Sequence, residues 1–405
     1  MNKIEVYTPV AFVIFNRPDC VAKSFAAIRN VKPQKLFIIA DGPRVDHPDD
    51  LRLCNECREI VENIDWECEV QRNYSDVNLG CGKRPATGLS WVFENVDRAI
   101  ILEDDCVPSK SFFLFCQEML EKYKDDERIF SVSGMNFDLK SDNGADYYFS
   151  QMFNTWGWAT WRRVWQHYDY KIKRFPKFRE KNQLLPLIVV QEFADYWYRC
   201  FEEVYSGKLI SAWDYQFVFL SFLNKGVHIY PQKNLVTYIG FNDMATHCKE
   251  IDEKNLFSKA TMPSEEIDFP LRHAATVQSD FRIDYLTMRY GFGVSPGGKM
   301  FCETIHSNIL CEIEHFPLLL IYGAGAVCRD VIGLLGKAGI DRFEVVVSDT
   351  KGEKRYVMGN LVRNISDFHE RTDKTFVLIA VTKKHQDAML EYLKKWGFNH
   401  YACVL

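Results

Sequence analysis

The sequence predicts an α/β protein, a helix-flanked sheet over roughly the first 250 residues followed by a smaller α/β unit at the carboxyl end. Short apolar runs alternate with amphipathic stretches from Val10 to Leu102, and the same alternation starts afresh at Pro317. In addition, Asn16-Arg17, Asp41 and Glu103-Asp104-Asp105 each follow directly on an apolar run. These are the carboxyl ends of the expected strands, where open α/β sheets hold their ligands.

Val10-Ala-Phe-Val-Ile-Phe15 reads as the first strand, and Val21, Phe25 and Ile28 follow at the spacing of one helix face. Residues 36–40 form the second strand and stop at Asp41-Gly42-Pro43, a turn signal. Residues 54–63 read as a helix and 68–73 as a third strand. The segment Asn78-Leu-Gly-Cys-Gly82 reads as a loop, ahead of a helix around 88–95. Residues 99–102 form the fourth strand. Short buried strands separated by helices imply a mostly parallel sheet with helices on both faces.

Between Asp138 and His247 aromatics crowd together and the alternation is lost. Asn154-Thr-Trp-Gly-Trp-Ala-Thr-Trp161 reads as the wall of a binding site rather than as a regular element. Residues 248–314 carry weak signals, with a helix near 280–289 and a turn at 294–299. The final unit has a strand at 318–322, a tight turn at Gly323-Ala-Gly325 and a helix at 327–335. A strand at 343–347 ends in Ser348-Asp349, and a strand at 376–381 and a last helix through Trp396 complete a Rossmann-like pattern. The expected division is 1–250, a linker with helical segments at 251–315, and 316–405.

The formal charge of −5 gives no basic field of the kind duplex nucleic acid demands. No run of about 18 apolar residues suggests a spanning helix, and the first residues lack the core of a signal peptide. The thirteen cysteines are odd in number and scattered, as in a reduced cytoplasmic chain. Cys54 and Cys57 form one CxxC with Cys68 beyond, but no fourth ligand stands at zinc spacing, so they read as thiols.

Adjacent carboxylates at a strand end repel one another unless a cation or hydrogen bonds neutralise them. A hard divalent ion, Mn²⁺ or Mg²⁺, takes oxygen ligands and bridges to phosphates. An acidic turn open to solvent is the ordinary alternative for Glu103-Asp104-Asp105.

Ile100-Ile-Leu-Glu-Asp-Asp-Cys-Val-Pro-Ser109 resembles the metal-binding motif of the glycosyltransferase A fold. Its Glu-Asp-Asp form is similar to that of the N-acetylglucosaminyltransferases that begin complex N-glycan branching. Phe15-Asn-Arg17-Pro18 resembles the first nucleotide-binding loop of that family, and Trp156-Gly-Trp158 with Trp213-Asp214 resembles its acceptor half. The resemblance spans about the first 250 residues and lies nearest to bacterial sugar transferases of polysaccharide assembly. It implies a mixed sheet of that fold type, an inverting transferase and a nucleotide-diphosphate donor, UDP-sugar first among them. Asp105 is then the metal ligand, Asp104 lies near the ribose, and Glu103 supports the loop or meets the donor sugar. Arg17 faces the diphosphate and Asp41 the base or ribose. Without the family, Arg17 could pair with Asp19 or a helix end, and Asp41 could be a turn residue.

An inverting transfer needs a carboxylate that takes the acceptor proton. Asp214 is the candidate, since aromatic neighbours would raise its basicity; it could also cap the apolar helix that follows. Histidines of fold relatives near the position of His247 reach the metal or the diphosphate, and a plain loop histidine is the alternative. Lys83 and Arg84 suit phosphate contacts or a solvated helix entry. Trp156 and Trp158 suit stacking on an acceptor sugar, with core packing as the alternative. The Lys- and Arg-rich run 171–181, with Phe175 and Phe178, suits either a lipid-linked acceptor at the inner membrane surface or a solvated loop.

In the last unit Gly323, Gly325 and Asp349 are the ligand candidates, although Cys328 stands where a third glycine would complete a dinucleotide fingerprint. The unit resembles small Rossmann-like domains attached to bacterial sugar-modifying enzymes. The expected partners are a nucleotide-sugar donor and a glycan or lipid-linked acceptor, in surface polysaccharide or glycoconjugate assembly. Two rivals stand beside this reading. A sugar nucleotidyltransferase would carry a glycine-rich basic loop where Asn16-Arg17-Pro18 stands, and a non-catalytic nucleotide-sugar sensor would not need Asp214.

Overall fold

In this computed structural model the described residues are 5–188, 190–241, 255–294, 305, 307–338 and 340–404. Strand β1 (Val10–Ile14) is apolar throughout and buried at all five positions, as a strand covered on both faces must be. It pairs in parallel with β2 (Lys35–Ala40) and β4 (Arg98–Glu103), and β2 pairs in parallel with β3 (Glu69–Tyr74). Helix α1 (Pro18–Val31) starts on proline, whose fixed φ and missing N–H suit a first helical position. Its face of Val21, Phe25 and Ile28 is buried, and it ends at Lys32 in the left-handed conformation. Helix α2 (Asp50–Glu62) lies between β2 and β3 in the chain.

Helix α3 (Gly80–Asn95) begins earlier than the glycines suggested. Asp41, at the end of β2, accepts hydrogen bonds from the amides of Leu79 and Gly80 at 2.9 Å each. A long-range acceptor thus starts the helix inside what reads locally as a loop. After β4 the chain turns at Asp104-Asp105 into β5 (Cys106–Pro108), and helix α4 (Lys110–Lys122) follows, capped by the Ser109 hydroxyl.

The aromatic region is regular, contrary to expectation. It supplies β6 (Ile129–Ser133), β7 (Tyr147–Ser150), β8 (Trp158–Trp161) and β9 (Val227–Pro231). The sheet order is β3-β2-β1-β4-β8-β6-β9-β7, with β8 antiparallel to both β4 and β6. The result is a mixed sheet, parallel from β3 to β4 and again between β6 and β9, and antiparallel where β8 and β7 pair. Every residue of β6, β7 and β8 is buried, so no inward–outward alternation remains to be read. Strand β10 (Val236–Tyr238) pairs antiparallel with β5, Tyr238 opposite Cys106. That ribbon brings Tyr238, Ile239 and Gly240 to the acidic turn, and the Ile239 amide donates to the Asp105 carbonyl at 2.8 Å.

The chain divides into two compact units, 1–187 with 197–280, and 188–196 with 281–405. In the second unit β11 (Leu318–Tyr322), β12 (Glu344–Val347), β13 (Tyr356–Val357), β14 (Asn360–Asn364), β15 (Thr375–Ile379) and β16 (Tyr401–Cys403) form one sheet. Its order is β13-β14-β12-β11-β15-β16, parallel except for the β13–β14 hairpin. Leu320, Tyr322, Val346, Val377, Ile379, Leu393 and Phe398 share its core. The helix Ala326–Lys337 follows β11, and a Cβ at its Gly333 would lie 2.6 Å from the Tyr285 ring, so glycine admits the helix Phe281–Leu286. The expected turn at 294–299 lies almost wholly outside the described residues.

Candidate functional site

The carboxyl ends of β1, β2 and β4 lie side by side in the sheet, so the polar residues that follow them meet. Arg17, directly before α1, reaches across to the turn after β4. Its Nη2 donates to Asp104 Oδ1 and to Asp105 Oδ2, the latter at 2.8 Å. It pairs with these acids and not with Asp19. Asp104 and Asp105 are 3 % and 6 % exposed, and Asp104 Oδ2 is buried without a hydrogen-bond partner.

Three consecutive acids in little water perturb each other. Burial, then the charges of Asp105 and Asp104, push Glu103 up to about 8. Burial also pushes Asp104 up to about 6, although Arg17 pulls the other way. Burial by itself would lower the Arg17 pKa; Asp104 and Asp105 outweigh it and hold the guanidinium above its usual range. The site is therefore short of positive charge, and one arginine supplies it in part.

Asp214 belongs to the same neighbourhood. It is the first residue of the helix Asp214–Asn224, whose cap position is Trp213, and its charge is one of those that raise Glu103. It also raises the Cys81 thiol and the Tyr168 hydroxyl, each chiefly raised by burial. The Tyr168 hydroxyl donates to the Trp213 carbonyl at 2.8 Å and so steadies the turn ahead of Asp214. The approach depends on Gly82, where a Cβ would collide with the Ile210 carbonyl and reach 3.0 Å from Ser211.

Several expected ligand contacts turn out otherwise. Asp41 Oδ1 accepts from the amides of Gly42 and Leu79, and its Oδ2 accepts from the Gly80 amide and Asn78 Nδ2, all between 2.9 and 3.1 Å. Both oxygens are fully used inside the protein, so Asp41 staples its loop and leaves no lone pair for a ribose or base. Arg84 is 4 % exposed and donates to the carbonyls of Ala40 and Asn73, which makes it a strut rather than a phosphate clamp. Lys83 is exposed in the first turn of α3. Trp158 is 0 % exposed, packed between Trp213 at 5.8 Å and Phe217 at 5.2 Å, so it has no face for an acceptor. Trp156 is half-buried and lies 5.1 Å from the Tyr238 ring. His247 lies outside the described residues.

The basic run divides in the same way. Ile172, Phe175 and Phe178 are buried, with Phe178 on Phe219 at 5.3 Å, while the lysines and arginines around them are exposed. Cys54 and Cys57 are buried thiols, the former pushed up to about 11 by burial. No helix among the described residues is long and apolar enough to cross a membrane.

Further residues frame the site, and of these only Asn16 stands out in the sequence. Asn16 Nδ2 donates to Asp50 Oδ1 at 2.8 Å, and Arg44 holds Asp50 from the other side, bringing its carboxyl down to about 2. Tyr238 and Gly240 arrive through the β5–β10 ribbon, a pairing with no local signal. A Cβ on Gly240 would lie 2.5 Å from Asp105 Oδ2 and would collide with the Tyr238 hydroxyl, so only glycine fits between the two.

Asp104 and Asp105 are hard oxygen donors, and the buried Asp104 Oδ2 is unpartnered. These residues fit a hard divalent ion. Among the described residues there is no group of three or more His, Cys, Asp or Glu side chains arranged to hold a metal. An ion here would thus be completed by phosphate oxygens and water, as Mg²⁺ sites commonly are.

In the second unit Gly323 has φ +132°, and a Cβ there would lie 2.6 Å from the Ala380 carbonyl, so packing of β11 on β15 requires glycine. Gly325 precedes the helix Ala326–Lys337 with open space around it. Asp349 is exposed and accepts from the Lys351 amide at 2.7 Å.

No family model and no curated protein matches the chain. Among solved structures it is similar to the S. aureus TarS fragment 1–349, with a TM-score of 0.33 and 8 % identity over 56 % of this chain and 59 % of that one. It is also similar to 4-diphosphocytidyl-2C-methyl-D-erythritol synthase from Anaerococcus prevotii, with a TM-score of 0.26 and 12 % identity over 42 % and 78 %. A third likeness is to UDP-glucose pyrophosphorylase complexed with UDP-glucose, with a TM-score of 0.24 and 8 % identity over 40 % and 78 %. The match spans less than two thirds of the TarS chain.

Proposed function

We propose that the first unit is a metal-dependent glycosyltransferase that moves a sugar from a nucleotide-diphosphate donor, a UDP-sugar, to an acceptor hydroxyl. The observation that carries this reading is the pairing of Arg17 with Asp104 and Asp105 at the carboxyl ends of neighbouring strands, with Asp214 near enough for its charge to act on Glu103. Asp105, with Asp104 beside it, would hold Mn²⁺ or Mg²⁺. The ion supplies charge stabilisation for the departing nucleoside diphosphate. Arg17 is the only guanidinium bonded to these acids among the described residues and is the side chain able to meet a phosphate.

Asp214 is the general base. As the acceptor oxygen forms its bond to the anomeric carbon, the bond to the diphosphate oxygen breaks and the hydroxyl proton passes to Asp214. This displacement inverts the anomeric centre. Of the two tryptophans expected to stack on an acceptor sugar, Trp156, half-buried beside Tyr238, is the one that would offer a ring face. The acceptor is a glycan or lipid-linked saccharide, in bacterial surface polysaccharide assembly at the cytoplasmic face.

Asp105→Ala tests the reading. Metal-dependent nucleotide binding should disappear while the fold persists by circular dichroism. Unchanged affinity in Mn²⁺ would remove Asp105 from the site.

A further inference from the structure

The Arg17 guanidinium stands on the two carboxylates that the reading above assigns to a divalent ion. Its backbone is fixed. The Arg17 carbonyl accepts from the Val21 amide at 3.0 Å, and Asn16 is tied to Asp50 at 2.8 Å. Its side chain, 18 % exposed, reaches solvent in part, and rotation about its own bonds would turn it outward. The pairing is also incomplete, because Asp104 Oδ2 stays buried and unpartnered while Arg17 holds Oδ1. A guanidinium and a divalent ion cannot both take Asp105 Oδ2 from the same side.

We propose that Arg17 is the resident cation of the unloaded site. It holds Asp104 and Asp105, competes with the metal for them, and moves to the diphosphate when metal and nucleotide bind together. The inference rests on the transferase reading. It makes loading synergistic: metal alone faces a competing cation, and the diphosphate removes the competitor by giving it a second anion. A lysine would compete less well, being a point charge without the planar fork that spans two carboxylates. An arginine that only met the diphosphate, or only packed, would leave the affinity for metal alone unchanged or weaker when removed.

The test uses the full chain and Mn²⁺ alone, with free Mn²⁺ followed by electron paramagnetic resonance. Arg17→Gln should bind Mn²⁺ about tenfold tighter than wild type, since a unit charge in contact with the ligands has gone. Arg17→Lys should gain about threefold. Adding Asp105→Asn to Arg17→Gln should abolish the gain. If Arg17→Gln fails to fold by near-ultraviolet circular dichroism, Arg17→Lys decides alone. In parallel, UDP is titrated into wild type in Mn²⁺. Variants that bind Mn²⁺ no tighter than wild type, beside a wild type that binds UDP, overturn the inference and leave the transferase reading intact. A wild type that binds no UDP in Mn²⁺ overturns the transferase reading and the inference with it.

Discussion

Gly240 lies against Asp105: a Cβ on Gly240 would come 2.5 Å from Asp105 Oδ2 and meet the Tyr238 hydroxyl. The two residues are far apart in sequence and are joined by the β5–β10 ribbon, in which Tyr238 faces Cys106. Gly240→Ala is therefore a probe of the site rather than of the core. Metal-dependent UDP affinity should fall by about tenfold or more, because a misplaced ligand oxygen loses a charge-assisted contact. Thermal unfolding followed beside calorimetry separates this from simple destabilisation.

Asp214→Asn should keep donor affinity and lose turnover by ~10²–10⁴-fold, the range for removing a general base. Steady-state kinetics with a matched donor and acceptor measure both quantities. Near-normal turnover would leave Asp214 as a first-turn acid that favours the helix dipole.

Asp41→Ala should act on stability and not through a lost ligand contact. Four donors lose their acceptor at once, and the start of α3 loses its anchor. The cost should be about 3 kcal/mol, that of leaving several part-buried donors unpaired. Urea unfolding measures it, and a loss below about 1 kcal/mol would show that water replaces the carboxylate.

His228 provides a pH dependence away from the site. It is fully buried in β9, bonded to the Ser131 hydroxyl at 2.8 Å, and burial brings its pKa down to about 3. The unfolded chain binds a proton on it near the ordinary value of about 6.5, while the folded chain does not. Its contribution is complete above that value and is lost as the pH falls from there toward 3, by about 1.4 kcal/mol per unit. Urea midpoints at pH 7, 6 and 5 should fall more steeply for wild type than for His228→Gln. Parallel profiles would contradict the assignment.

Much of the first half of the fold is legible in the sequence because its signals are local. β1, β2 and β4 are uninterrupted apolar runs, and the acids and Arg17 stand directly after them. The second half is not legible. β6, β7 and β8 are buried on both faces, and their partners lie tens of residues away, so neither period nor turn residues mark them. The same distinction separates the site residues. Asp104 and Asp105 can be read from their place in the chain. Asp41 and Arg84 look like ligand residues until their partners, contributed from other elements, are known. Trp158 looks like a binding surface because a fully buried strand and an aromatic wall have the same composition. Tyr238 and Gly240 could have been found only from the β5–β10 pairing.

The central claim is that the first unit binds a nucleoside diphosphate through a metal held at Asp105. Calorimetric titration of UDP, GDP and dTDP into the full chain, first in Mn²⁺ and then with chelator, tests it most directly. The account predicts micromolar binding of UDP, of the order common for small-substrate sites, that vanishes with chelator. Binding of none of the three, or UDP binding that survives chelation unchanged, would contradict it.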